Sequence, residues 1–114
     1  MLRFIIGSGV VLLLACGAEA RPRFLSTAEV ADIMAELHAY GDNCRNWSEN
    51  LEATTFLFLS NELKTDDRYR VEYAKARGKH WPAANGLPPR EACSIAVERF
   101  GPEGRRVPGL LKLK

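Results

Sequence analysis

Three cysteines and two histidines are the side chains best suited here to redox, metal or nucleophilic chemistry, and their spacing argues against most of it. Cys44 and Cys93 form no C-x-x-C, the arrangement in which a catalytic thiol pair more often appears. His38 falls at the edge of an apolar helical stripe, and His80 precedes Trp81 at a loop start. A zinc site needs three or four ligands at short spacings, and H-E-x-x-H, paired C-x-x-C and the haem-attaching C-x-x-C-H are all missing. No G-x-S-x-G elbow and no phosphate-binding loop is present. Catalytic residues, a metal and a cofactor are therefore not assigned. Asp and Glu are plentiful, so a small secreted hydrolase with an Asp/Glu site is the alternative that only geometry can expose.

Binding chemistry has more material. Arg68, Arg70, Lys75, Arg77 and Lys79 interleave with Tyr69, Tyr73 and Trp81, and Arg105 and Arg106 follow in the C-terminal tail. Basic and aromatic residues mixed in this way serve nucleic acids and anionic glycans or lipids. On a helix, Tyr69 and Tyr73 share one stripe that suits a core, so the basic side chains flank it with their stems on apolar surface. The seven basic residues named above are the candidate binding set. Asn46-Trp47-Ser48 fits a glycosylation sequon, but Trp47 reads as a core residue and the match as chance.

The chain begins as an exported protein does. Arg3 precedes an apolar run from Phe4 to Ala15, and Ala18-Glu19-Ala20 supplies a small-residue cleavage site. That is the layout of a signal peptide over residues 1–20. The run is shorter than the roughly 20 residues that span a bilayer, and no second one follows, so no transmembrane helix is expected. Leu13-Leu14-Ala15-Cys16 also resembles the lipobox of bacterial lipoproteins. Lipidation at Cys16, with anchoring to the envelope, is therefore the alternative to a free periplasmic or secreted protein. Either way Cys44 and Cys93 remain, and an oxidising compartment favours one disulfide between them. Closing a loop of about 50 residues contributes about 4 kcal/mol on the chain-entropy model.

Composition describes an ordinary soluble domain, 46% hydrophobic and 26% charged, with a formal net charge of +2. The charge is unevenly placed. From Phe24 to Leu63 there are seven acidic residues and one basic; from Lys64 to Lys114 there are twelve basic and six acidic. Either the two halves pack together and cancel, or the basic half meets a partner protein, an anionic envelope component or a second copy of the chain. Export argues against nucleic acid as the partner.

Four helices are predicted to position these groups. The first runs over 27–40, with Ser26 and Glu29 as a capping box and Val30, Ile33, Met34 and Leu37 as its buried stripe. Gly41 is expected to end it in a left-handed turn. The second covers 43–63, with Trp47, Leu51, Phe58 and Leu59 facing the core. The third covers 66–78 and buries Tyr69 and Tyr73, and a loop rich in Pro and Gly follows. The fourth covers 89–100, opened by Pro89, with Cys93, Ala96, Val97 and Phe100 inside. The reading is an all-α domain over 21–102 with a Cys44–Cys93 bridge. An extended basic tail over 103–114 is laid on it by its leucines.

A small exported helical chain whose one disulfide closes a loop of about 50 residues is similar in plan to the acid-stress periplasmic chaperones of the HdeA type. Cys44 and Cys93 are the positions that carry this likeness, as a bridge. The tail has no part in it, and a shared plan does not give a function. The expectation is an exported non-enzymatic protein that works by binding, as an inhibitor, adaptor or chaperone-like protein.

Overall fold

A computed structural model describes residues 24–114; the expected signal peptide and Cys16 lie outside the described residues. Helix α1 spans Thr27–Gly41 and begins at the expected capping box, where the Ser26 amide donates to Glu29 Oε1 and the Glu29 amide to Ser26 Oγ. It is enclosed on most sides: Val30, Ala31, Ile33, Met34, Ala35, Leu37, Ala39 and Tyr40 are all buried. A helix with so little solvent-facing surface belongs in the middle of a fold. Helix α3 (Asp67–Asn85) and helix α4 (Pro89–Phe100) pack against it, and Tyr69, Ala84, Ala92, Ala96 and Phe100 join its core. The described residues thus form a small all-α domain of four helices, crosslinked by Cys44–Cys93 with a Cα–Cα distance of 4.9 Å.

The second helix is shorter than its periodicity predicts. Residues Trp47–Glu49 form strand β1 instead, and helix α2 covers only Leu51–Ser60. The competing interaction comes from the C-terminal segment. Strand β2 (Leu111–Leu113) pairs antiparallel with β1 in the register Trp47↔Leu113, Ser48↔Lys112 and Glu49↔Leu111. Asn50 then donates its backbone amide to the Leu110 carbonyl, and its side chain accepts from the Ala53 amide, starting α2 afresh. Pairing with so distant a segment lies outside any local window of sequence.

The third helix is longer than expected, running past Gly78 to Asn85 with Pro82 inside it. Proline removes the amide that would bond the carbonyl four residues back. Here that carbonyl belongs to Gly78, which is exposed, so water can replace the lost donor. His80 accordingly lies within the helix, and the predicted loop shrinks to residues 86–88.

Gly41 also differs from expectation, because it does not adopt a positive φ. A β-carbon there would stand 3.4 Å from Leu111 Cδ1, an ordinary contact, so the returning tail packs beside this position without requiring glycine. That tail is held from α4 onwards. The amides of Arg105, Arg106 and Val107 donate to the carbonyls of Glu98 and Arg99, covering the open end of α4. Gly104 permits the turn, since a β-carbon would lie 2.4 Å from the Arg99 carbonyl oxygen. Leu110 and Leu111 are then buried in the core.

Candidate binding surfaces

Asp32 and Glu36 stand one turn apart on α1 and collect basic side chains from α3, α4 and the tail. Glu36 is only 3% exposed and receives Arg99 from α4 and Arg106 from the tail. Asp32 accepts from Arg106 Nη2 at 2.8 Å and lies 2.9 Å from His80 Nε2, with Lys79 Nζ at 3.1 Å. Burial alone would push the Asp32 carboxyl up, but the hydrogen bonds from Arg106, Lys79 and His80 prevail and bring it down to about 2. Asp32 is therefore a fixed anion near neutrality and holds no proton to donate. The open concavity above this network, about 520 Å³, is lined by Glu36, Glu98, Arg99, Arg105 and Arg106.

A second polar chain runs through His38. Its Nδ1 lies 2.7 Å from the Tyr73 hydroxyl and its Nε2 2.9 Å from Glu49 Oε1, which ties α1 to α3 and to β1. The hydrogen bond from His38 lowers the Glu49 carboxyl against the effect of burial. Burial raises the Tyr73 phenol, so the chain does not prepare a phenolate nucleophile. Tyr69 is pushed up to about 12 by burial, with the Tyr73 and Glu49 charges adding to it. Both polar chains join elements together and leave their carboxylates engaged.

The candidate basic residues are spread out rather than gathered. At about 100° per residue, Arg68, Lys75 and Lys79 fall on one side of α3, and Arg70 and Arg77 on the opposite side. Several are already matched within the chain: Arg70 with Asp67 at 2.6 Å, Lys75 with Glu72 at 3.5 Å, and Arg105 with Glu98 at 3.1 Å. Arg77 lies over the Trp81 ring at 4.7 Å. Lys79 and Arg106 meet at Asp32, while no carboxylate partner accompanies Arg68 among the described residues. The acidic half of the sequence thus packs on the basic half at its most buried charges.

Helix α2 supplies what the sequence reading missed. Leu51 and Leu59, both expected in the core, are 69% and 70% exposed, and Phe56 is 71% exposed. The helix begins at Leu51 rather than near residue 43, and the side it turns inward carries Ala53, Thr54, Leu57 and Phe58. Phe58 sets its ring edge-on to Tyr69, with centroids 5.2 Å apart. Leu51, Thr55, Leu59, Glu52 and Phe56 share the outward arc, and Glu52, between Leu59 and Phe56, is the one charged residue on the helix. Asn50, a good capping residue directly before Leu51, was the available signal. Comparison with family models, curated proteins and solved structures found no match.

Among the described residues no cluster of three or more His, Cys, Asp or Glu side chains is arranged to hold a metal. No described helix is long and apolar enough to cross a membrane.

Proposed function

We propose that this chain is an exported, non-enzymatic binding protein that holds a partner protein by the outward face of α2. The observation that carries this reading is the exposure of Leu51, Phe56 and Leu59 together on one short helix. Single exposed apolar residues are ordinary, but three large ones on one face of a ten-residue helix, with Thr55 and Glu52 among them, support an interaction surface. A protein suits the face better than a lipid surface does. Helices that lie on membranes carry Lys and Arg along their polar side, and α2 has neither. The engaged carboxylates and open concavities support binding over catalysis. The Cys44–Cys93 bridge and the apolar leader together support an oxidising location outside the cytoplasm.

The test uses the exported protein and a variant with Leu51, Phe56 and Leu59 all changed to Asp. A partner recovered from the native envelope fraction and named by mass spectrometry should bind purified wild-type protein directly. The triple variant should bind it at least about tenfold more weakly, since a few buried apolar anchors dominate most interfaces. Equal affinities overturn the proposal. So does self-association of the wild type that the variant loses, which makes a second copy the occupant. Partition of the wild type alone into lipid vesicles overturns it in favour of a membrane.

A further inference from the structure

The arginines divide sharply by what they touch. Arg70, Arg99, Arg105 and Arg106 each meet a carboxylate, and Arg77 lies over Trp81. Among the described residues Arg45, Arg68 and Arg90 have no ion-pair partner, and two of these three, Arg45 and Arg90, line one groove of about 690 Å³. Asn46, Trp47 and Ser94 line the same groove, and no acidic side chain does. The Asn46 amide, the Trp47 indole N–H and the Ser94 hydroxyl make no side-chain hydrogen bond within the described residues. The groove therefore gathers hydrogen-bond donors and positive charge without internal acceptors to satisfy them.

Its walls are also fixed. One wall is the connection between α1 and β1, which carries Arg45 beside Cys44. The other is α4, where Arg90, Cys93, Ser94 and Val97 follow helical spacing along one face. The Cys44–Cys93 bridge joins the two walls, so it sets the distance between the guanidinium-bearing segments as well as closing a loop. Guanidinium groups pair with carboxylates and phosphates through two parallel hydrogen bonds, the geometry for which arginine exceeds lysine.

We infer that this groove binds a small sugar bearing an oxyanion, with Arg45 and Arg90 on the anion and Asn46, Ser94 and the Trp47 indole on the ring and its hydroxyls. The anion can be a uronate carboxylate or a sugar phosphate, since both present the same paired oxygens. This site is separate from α2 and stands whether or not that helix holds a protein.

The experiment is a titration of the exported, disulfide-bonded protein, followed at the Trp47 indole N–H in amide-correlation spectra. Trp81→Phe identifies which of the two indole signals is Trp47. Glucuronate and glucose 6-phosphate are the anionic probes, glucose the neutral one. At least one anionic probe should shift the Trp47 signal with millimolar affinity or tighter, and the stronger of the two identifies the anion. Glucose should shift it little. Arg45→Ala with Arg90→Ala should weaken the binding at least about tenfold, because both lost contacts are charge-assisted. Both arginines are exposed, and an otherwise unchanged spectrum of the double variant confirms that it folds. Failure of both anionic probes, binding of glucose with equal strength, or binding that survives the double substitution overturns the inference.

Discussion

Asp32 and Glu36 share one face of α1, yet their surroundings make different demands on them. Glu36 is the more deeply buried, and a carboxylate taken out of water must recover its hydration from neighbours. Arg99 and Arg106 do this together, while Arg99 also lies 5.6 Å from the Tyr40 ring. Asp32 retains some contact with solvent and is held by Lys79, His80 and Arg106. Its depressed carboxyl has a definite consequence for stability. Between the ordinary value of 3.8 and the folded value of about 2, the unfolded chain binds more protons than the folded one. The stabilisation is therefore complete above about pH 4 and is lost as pH falls towards 2. It amounts to at most about 2 kcal/mol for this group, and less where solvent screens the exposed oxygens. Glu49 is also lowered and acts in the same direction. Urea unfolding of Asp32→Asn should show a shallower loss of stability across that window than the wild type shows. Parallel curves would mean that Asp32 contributes nothing to acid unfolding.

At the level of the helices, the end of α2 carries a local cost. The Leu63 amide donates to the Phe58 carbonyl and the Glu62 amide to the Leu59 carbonyl, the paired closure that usually has glycine at its turning residue. That residue is Glu62, with a φ of 55°. A left-handed conformation costs a non-glycine residue about 1 kcal/mol. Glu62→Gly should therefore stabilise the protein by about 0.5–1 kcal/mol, read as a higher denaturant midpoint with an unchanged slope. A lower midpoint would show that the glutamate side chain matters more than the strain. The helices whose signals are local were legible in the sequence. Ser26 and Glu29 mark the start of α1, and Pro89 opens α4, because capping and φ restriction act over a few residues. Leu51 and Leu59 were misread for the opposite reason. Their exposure follows from which side of α2 packs inward, and although Asn50 offers a local start signal, the pairing of β1 with β2 that displaces the first half of the predicted helix comes from far away in the sequence. The arginine-rich stretch was legible as a flanked tyrosine stripe, but not its pairing with α1, which needs the tertiary arrangement.

Across the molecule as a whole, stability is unevenly distributed. Helix α1 is enclosed by α3, α4 and the returning tail, whereas α2 buries only Thr54 fully and presents most of its apolar length to water. Two long-range ties, the tail strand and the disulfide, fasten the region between α1 and α2 to the C-terminal part of the chain. Opening α2 exposes little new surface, so it should open locally while α1 stays folded. Native-state hydrogen exchange at low denaturant tests this directly. Amides of α2 should exchange at a free energy well below that of α1 and with little dependence on denaturant, whereas α1 amides should track global unfolding. Reduction of Cys44–Cys93 removes a crosslink between residues 49 apart, which costs about 4 kcal/mol of global stability on the chain-entropy model. The loss should therefore appear in full at the α1 amides and only slightly at α2, whose local opening does not release the bridge. Equal losses in both helices would show that α2 unfolds only with the core. Its exposed face would then belong to the most stable part of the molecule, a rigid platform presenting Leu51, Phe56 and Leu59 to a partner without rearrangement.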